Sequence, residues 1–306
     1  MTAHPQADLA ARIEHDVPLA RLTTVGIGGP ARAFARPETV RELEQLMAWS
    51  EDAALPIVVV GLGSNVLAAD SGVDALVLRL AGELASVKID GTRLVAGGGA
   101  PNAVALHRAR AAALGGMEFA CAIPGTAGGG VRMNAGAYGR DWSDIVERAL
   151  VVTAEGASSL SRDELQLSYR QSALVAGQVV ARVEFRLESR DSTEIRRDVA
   201  ELNARRKATQ PINRRTFGSV FKNPKHELGA GPMLDACSLK GYELGGARIS
   251  PRHANFIENV DGATAADAVG LMAEAGRRAL EQFGVELERE VELLGDLVLP
   301  RAGELP

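Results

Sequence analysis

Between Gly26 and Gly130 the chain concentrates glycine into four clusters: Gly26-Ile27-Gly28-Gly29-Pro30, Gly61-Leu62-Gly63-Ser64-Asn65, Gly97-Gly98-Gly99 and Gly125-Thr126-Ala127-Gly128-Gly129-Gly130. Glycine reaches positive φ and lets backbone N–H groups approach an anion with no Cβ in the way. Several such loops converging would wrap an extended diphosphate ligand, a dinucleotide or a nucleotide sugar; each loop alone reads equally well as a tight turn. Neither standard nucleotide fingerprint fits. Gly61-Leu62-Gly63 follows a strand pattern, but position 66 is Val where the dinucleotide fold needs its third glycine, and no Gly-Lys-Ser/Thr ending provides a P-loop. A different phosphate cradle is therefore expected.

Around the clusters the chain reads as helices alternating with short strands. Val40, Leu43, Leu46 and Met47 recur at helical spacing, and Pro56 opens a β-branched strand from Ile57 to Val60. Further strands are expected at 75–80, 85–90 and 93–96, followed by a helix with Pro101 at its first position, ending at Leu114. Val179, Ala181, Val183, Phe185 and Leu187 alternate with Arg182, Glu184, Arg186 and Glu188, a strand with one wet face that closes a first unit. Asp191 with Glu194 forms a capping-box pattern for a charged helix to about Lys207, and 210–217 lacks periodicity. This places a domain boundary near Arg190. A helix from Thr264 to Phe283 carries Val269, Met272, Ala273, Ala279 and Leu280 on its apolar side and stops at Gly284; a strand from Val285 to Leu294 is expected after it.

Composition removes several function classes. A chain of 306 residues, 46% hydrophobic and 24% charged, is too large for one small domain and too apolar for a disordered protein. Its net charge of −5 lacks the basic surplus that nucleic acid rewards. The two cysteines, Cys121 and Cys237, are far apart in sequence, build neither a zinc site nor a disulfide framework, and suit a reducing cytoplasm. The stretch from Met1 to Asp16 carries Asp8, Arg12 and Glu14 in place of an apolar core, and no later run approaches a membrane span. None of His4, His15, His107, His226 and His253 stands in a metal-ligand pair, so no metal is expected.

Further blocks carry a resemblance. Leu22-Thr23-Thr24 to Gly29-Pro30-Ala31, the Gly61–Leu67 segment, Ile123-Pro124-Gly125-Thr126 through Met133-Asn134-Ala135-Gly136-Ala137-Tyr138-Gly139, Tyr169-Arg170-Gln171-Ser172, Gly218-Ser219-Val220-Phe221-Lys222-Asn223-Pro224, Leu239-Lys240-Gly241 and His253-Ala254-Asn255-Phe256-Ile257 occur in order across nearly the whole chain. Together they resemble the UDP-N-acetylenolpyruvoylglucosamine reductase (UDP-N-acetylmuramate dehydrogenase) family. The short stretch between Val199 and Ser219 resembles its shorter form, without the insertion that bears a substrate-clamping tyrosine. Gly130 and Glu258 depart from the family's commoner Ala and apolar residue.

The resemblance implies an α+β / α/β fold: an FAD-binding domain of the vanillyl-alcohol-oxidase (PCMH) type in two α/β subdomains, residues 1–190, then a C-terminal α/β substrate-binding and catalytic domain, residues 191–306. It implies noncovalent FAD, since Gly61 to Asn65 holds no histidine, and NADPH as hydride donor. The reaction would be reduction of an enolpyruvyl ether in peptidoglycan precursor synthesis. The protein would be a cytoplasmic monomer acting on a UDP-sugar, without nucleic acid or membrane as partner. FAD contacts would fall at Gly28, Gly29, Gly61, Gly63, Ser64, Asn65, Ile123, Pro124, Gly125, Thr126, Gly128 and Gly129.

Reducing a double bond beside a carboxylate needs a hydride at one carbon, a proton at the other, and stabilisation of the enolate-like charge between them. The resemblance makes Ser219 the proton donor, Arg170 the group facing the substrate carboxylate, and Glu290 the acid that with Arg170 stabilises the enol. It adds Tyr169 and Asn223 as substrate-binding residues. Without it, Ser219 is a turn residue, and Glu290 is one of four same-face acids with Glu286, Glu288 and Glu292, among which pattern does not choose. Arg205-Arg206-Lys207 either faces a diphosphate or answers a helix dipole. A flavin oxidase of the same fold, or a nonenzymatic UDP-sugar or flavin-binding module, would keep the glycine loops and leave the second-half blocks unexplained.

Overall fold

The computed structural model describes residues 12–300. Residues 1–11, which include His4 and most of the stretch read for an export signal, lie outside the described residues. The chain forms two compact units, each assembled from separated stretches. Of the described residues the first takes 12–16, 32–62 and 74–205, and the second takes 17–31, 63–73 and 206–300.

In the first unit an antiparallel sheet runs in the order Gly156–Ser161, Val146–Thr153, Val179–Arg186, Arg93–Gly97, Val87–Asp90. Val179–Arg186 is thus its central strand. Its one wet face holds only over Arg182 to Arg186. Ala181 is the extra residue of a bulge opposite Leu150 and Val151, and Val179, Val180 and Ala181 are all buried. A bulge shifts the side-chain phase, so Val183 and Phe185 join the core around Leu94, Trp142 and Phe119, whereas Val179 and Ala181 join that around Leu43, Met47 and Leu76. The latter core lies beneath the helix Val40–Asp52, which Thr39 caps by accepting from Glu42 N–H, and the parallel pair Ile57–Val59 and Val73–Leu78.

Other boundaries move for local reasons. Pro101 caps the helix Asn102–Ala111 at ψ 135 and is not its first turn. Ala113 takes φ 53 and ends it, leaving Leu114–Gly115 to pair with Glu188–Ser189. Residues 82–85 form a 3-10 turn before the strand Val87–Asp90. Asp191 Oδ1 accepts from the N–H groups of Thr193 and Glu194 and so starts the helix Ser192–Thr209. The Glu194 carboxylate sits 3.5 Å from Arg190.

The second unit holds a four-stranded antiparallel sheet in the order Thr216–Ser219, Phe256–Asn259, Ala247–Ile249, Glu243–Leu244. Phe217, Ile249 and Ile257 share a core with Met233 and Leu234 of the helix Ala230–Ala236 and with Leu271, Met272 and Ala275 of Ala265–Phe283. The long helix begins in a reciprocal capping box of Thr264 with Asp267 and ends on Gly284 at φ 65. The expected strand from Val285 to Leu294 is a correction. Only Glu292–Leu294 is a strand, parallel to Val66–Ala68, and Arg289 makes a single bridge to Phe221.

Candidate functional site

Four glycine clusters alike in composition do two different jobs. The N–H groups of Gly97, Gly98 and Gly99 go to the carbonyls of Ser86, Ala181 and Leu84, and a Cβ on Gly98 would stand 1.8 Å from Val180 O. Gly29 likewise donates to Ala69 O, and a Cβ there would stand 2.2 Å from Asp70 O. Gly128 donates to Gly98 O, with Cβ space closed at 2.9 and 3.0 Å by Gly98 O and Val180 O. At these positions glycine lets two backbones of the protein touch. A Cβ on Gly28, at φ 132, would meet Ala68 Cβ at 2.9 Å.

Gly61 to Asn65 and Gly125-Thr126 behave otherwise. Among the described residues no acceptor stands in hydrogen-bond geometry to the N–H groups of Gly61, Leu62, Gly63, Asn65, Gly125 or Thr126. Gly63 at φ 67 and Gly125 at φ 141 hold backbone conformations that L side chains rarely adopt. Gly61 packs on Thr126, whose Oγ1 would be 2.7 Å from a Cβ there, while the Gly63 carbonyl accepts both the N–H and the hydroxyl of Thr24. Thr126 caps the short helix Ala127–Arg132. Ile123 and Pro124 lead into this turn, and Gly129 N–H reaches Thr126 Oγ1 at 3.4 Å. Backbone N–H groups left open in glycine turns are a cradle for phosphate oxygens.

In the second unit a bulge decides where Ser219 points. Thr216 pairs with Glu258 and Ser219 with Phe256, three steps against two, and the extra residue is accommodated by Gly218 at φ 84. Without the shift Ser219 would follow Phe217 into the core. With it, Ser219 shares the face of Phe256 and Glu258, opposite Ile257 and the helices. Directly after it, the Val220 carbonyl accepts the Glu290 N–H at 2.8 Å. The Glu290 carbonyl accepts from Asn65 Nδ2 at 3.1 Å, and the Asn65 carbonyl accepts Glu292 N–H at 2.9 Å. Ser64-Asn65, Ser219 and Glu290 therefore share one frame.

The four acids are not equivalent. Glu286, Glu288 and Glu292 are exposed, whereas Glu290 is half-buried. Glu288 pairs with the Lys222 ammonium. Asn223 is already engaged, its Oδ1 accepting Ala230 N–H at the start of a helix. In the first unit Arg170 is the second residue of a tight turn between Ser168 and Gln171, at φ 54; its guanidinium donates to Gly136 O at 2.7 Å and lies 4.9 Å over the Tyr169 ring. Tyr169 is half exposed.

The sheet face that carries Glu258 also borders a cavity of about 460 Å³ lined by Lys207, Arg214, Arg248, Arg252 and Glu258. Glu258 is buried and paired with Arg248 at 2.9 Å, leaving cations in excess there. Of the rest of the basic run, Arg205 stacks on Tyr138 and Arg206 reaches Gln210. Burial pushes the His253 imidazole below its ordinary value, and its Nδ1 accepts Asn255 N–H at 3.2 Å. Among the described residues no helix is long and apolar enough to cross a membrane, and no group of three His, Cys, Asp or Glu could hold a metal.

Residues 31–158 match a family model described as an FAD binding domain, and residues 210–294 match the C-terminal domain of UDP-N-acetylenolpyruvoylglucosamine reductase. The chain is 43% identical over 298 residues to the UDP-N-acetylenolpyruvoylglucosamine reductase of Anaeromyxobacter dehalogenans (strain 2CP-C), covering 97% of this chain and 90% of that one. It is 41% identical over 286 residues to reductase 2 of Symbiobacterium thermophilum, covering 93% and 92%. The crystal structure of the Thermus caldophilus reductase superposes with a TM-score of 0.81 at 37% identity, covering 92% of this chain and 99% of that one. The expected mixed α and β fold, an FAD-binding domain followed by a C-terminal domain of the reductase family, is borne out, with the sheet of the second unit antiparallel.

Proposed function

The chain belongs to the UDP-N-acetylenolpyruvoylglucosamine reductase family, and we propose that it uses NADPH to reduce the enolpyruvyl ether of UDP-N-acetylglucosamine enolpyruvate to UDP-N-acetylmuramate, as a cytoplasmic monomer in peptidoglycan precursor synthesis. The observation that carries this reading is the frame in which Ser219, turned out of the core by its bulge, is followed at once by the residue that binds the Glu290 backbone. The open N–H groups of Gly61, Gly125 and Thr126 in the first unit would hold the diphosphate of FAD noncovalently; Gly63, Ser64, Asn65, Ile123, Pro124 and Gly129 would be further FAD contacts. Gly28, Gly29 and Gly128 support the turns by close packing. Residues 1–190 would serve FAD and 191–306 the substrate.

Bound FAD supplies the hydride that it receives from NADPH. The protein supplies the rest. Arg170, with its planar fork of donors, would pair with the substrate carboxylate, and Glu290 would stabilise the enolic form. Ser219 would hold the hydroxyl proton against the carbon that becomes carbanion-like, which is basic enough to take it from so weak an acid. Tyr169 and Asn223 would contact the nucleotide sugar, and the cations Lys207, Arg214 and Arg252 offer charge to its diphosphate.

An anaerobic titration tests the activity. The purified protein should be yellow, should bleach with NADPH, and should recover its colour when the enolpyruvyl nucleotide is added. A binding module stops at the second step and an oxidase at the third. Within that cycle, Glu290→Gln should slow recovery about 10²-fold, the scale of losing one group that stabilises transition-state charge, and leave bleaching unchanged. Glu286→Gln and Glu292→Gln should be neutral. Glu288→Gln breaks an ion pair whose acid is 73% exposed, which is worth little. Stopped-flow traces in which Glu288→Gln is crippled and Glu290→Gln is not would assign the acid role to the wrong residue.

A further inference from the structure

Asn255 is 4% exposed. A buried amide is costly unless its donors and acceptor are matched, and this one is matched chiefly by a single residue. Its Oδ1 accepts the Phe221 N–H at 2.9 Å and its Nδ2 donates to the Phe221 carbonyl at 2.8 Å. Its own carbonyl accepts the Val220 N–H at 2.9 Å. A side-chain amide presents the same donor and acceptor as a peptide unit. Asn255 thereby continues the ladder one step beyond the Ser219–Phe256 pair, its side-chain amide taking the place of a peptide unit opposite Phe221 on that edge.

The other edge of the same segment is held by 289–290: Phe221 bridges to Arg289, and the Val220 carbonyl accepts the Glu290 N–H. The peptide units that follow Ser219 therefore lie between Asn255 on one side and the Glu290 backbone on the other. We propose that Asn255 is a positioning residue for proton delivery, fixing the backbone from which Ser219 projects and, through Val220, the backbone of Glu290. This rests on the reading of Ser219 as the proton donor. Its force comes from geometry, since a displacement of about 1 Å at a reacting group can cost about 10²-fold in rate.

Asn259 provides an internal control. It ends the strand Phe256–Asn259 that begins directly after Asn255, and its side chain also makes two bonds to backbone, accepting Ala263 N–H and donating to Val25 O, each at 3.0 Å. Neither touches 219–222. The experiment uses the FAD-loaded full chain as wild type, Asn255→Ala, Ser219→Ala, the double variant and Asn259→Ala. It records Tm, bleaching by NADPH, and recovery on adding the enolpyruvyl nucleotide.

Asn255→Ala should slow recovery about 10²-fold when Ser219 is present and by no more than about threefold when residue 219 is Ala, with bleaching near wild type throughout. Asn259→Ala should lower Tm comparably and leave recovery within about threefold of wild type. Equal slowing by Asn255→Ala in both backgrounds, or equal slowing by Asn259→Ala, would reduce Asn255 to a stability residue. If Ser219→Ala alone is harmless, it is the proton-donor reading that fails, and the positioning role with it. Should Asn255→Ala not fold, Asn255→Asp keeps the acceptor for Phe221 N–H and regains the donor only when protonated. Its recovery rate should then rise as the pH is lowered, relative to wild type, and a pH profile parallel to wild type would overturn the proposal.

Discussion

In Ser219→Ala, NADPH should bleach the flavin at close to the wild-type rate, while the enolpyruvyl nucleotide restores its colour about 10²- to 10⁴-fold more slowly, the range for loss of a general acid. The separation follows from what each half of the cycle needs. Bleaching requires no protein acid, whereas forming the saturated lactyl ether requires a proton on carbon. Ser219 is the hydroxyl that the bulge at Gly218 turns to the face of the sheet opposite Phe217 and Ile257. Alanine fits that position without strain, so the lesion is confined to the hydroxyl. Anaerobic stopped-flow measurement of both phases is the check. Equal slowing of the two would mean that the residue shapes the site without donating a proton.

Gly125→Val should purify folded and colourless. Gly125 sits at φ 141, where a β-branched residue is strongly disfavoured, and its N–H and that of Thr126 are open donors. Straightening this turn redirects both donors. The bound flavin, read from the ratio of visible to protein absorbance, should fall below about a tenth of wild type, as expected when a cradle of oriented N–H groups is lost. Gly128→Val makes an instructive contrast. Its side chain would strike the carbonyls of Gly98 and Val180 inside the protein, so it should lower Tm as well as flavin content. A Gly125→Val protein carrying full flavin would show that this loop is only a turn.

These two glycines mark the limit of what was legible in the sequence. Glycine density located the loops, but a glycine that admits a phosphate and one that admits a neighbouring carbonyl look alike until the neighbour is known. The helix Ala265–Phe283 was readable to within one residue, Thr264 proving to be its cap, because its cap, its periodicity and its terminating glycine are local signals. The segment after it was not. Val285 to Leu294 alternates like a strand because Leu287 and Val291 are buried while Glu286, Glu288 and Glu292 are exposed. One-sided burial imposes that alternation on any extended chain, with or without a ladder. Its partners are irregular: Lys222 N–H to Glu288 O and Glu290 N–H to Val220 O. The same holds for Ser219, whose outward direction depends on a bulge that appears only on pairing with 256–258. Asn255 belongs to one of the blocks that carry the family resemblance, but nothing local shows that its amide replaces a peptide.

The way the two units are threaded also bears on how the molecule is made. The second unit's core contains Val25, Ile27 and Leu67 beside residues from 217 to 291, and Asn65 meets Glu290 across 225 residues of sequence. During synthesis on the ribosome the early stretches must wait, with apolar side chains uncovered, while roughly 225 further residues are added between Leu67 and Val291, about 11 to 45 s at typical elongation rates. Contacts of such long sequence separation also close slowly once the chain is free. The carboxyl-terminal portion expressed by itself would lack these three side chains and the Val66–Ala68 strand that pairs with Glu292–Leu294. The unit that carries Ser219 and Glu290 is therefore complete only in a finished chain, and nascent molecules are the ones most exposed to aggregation and in need of chaperones.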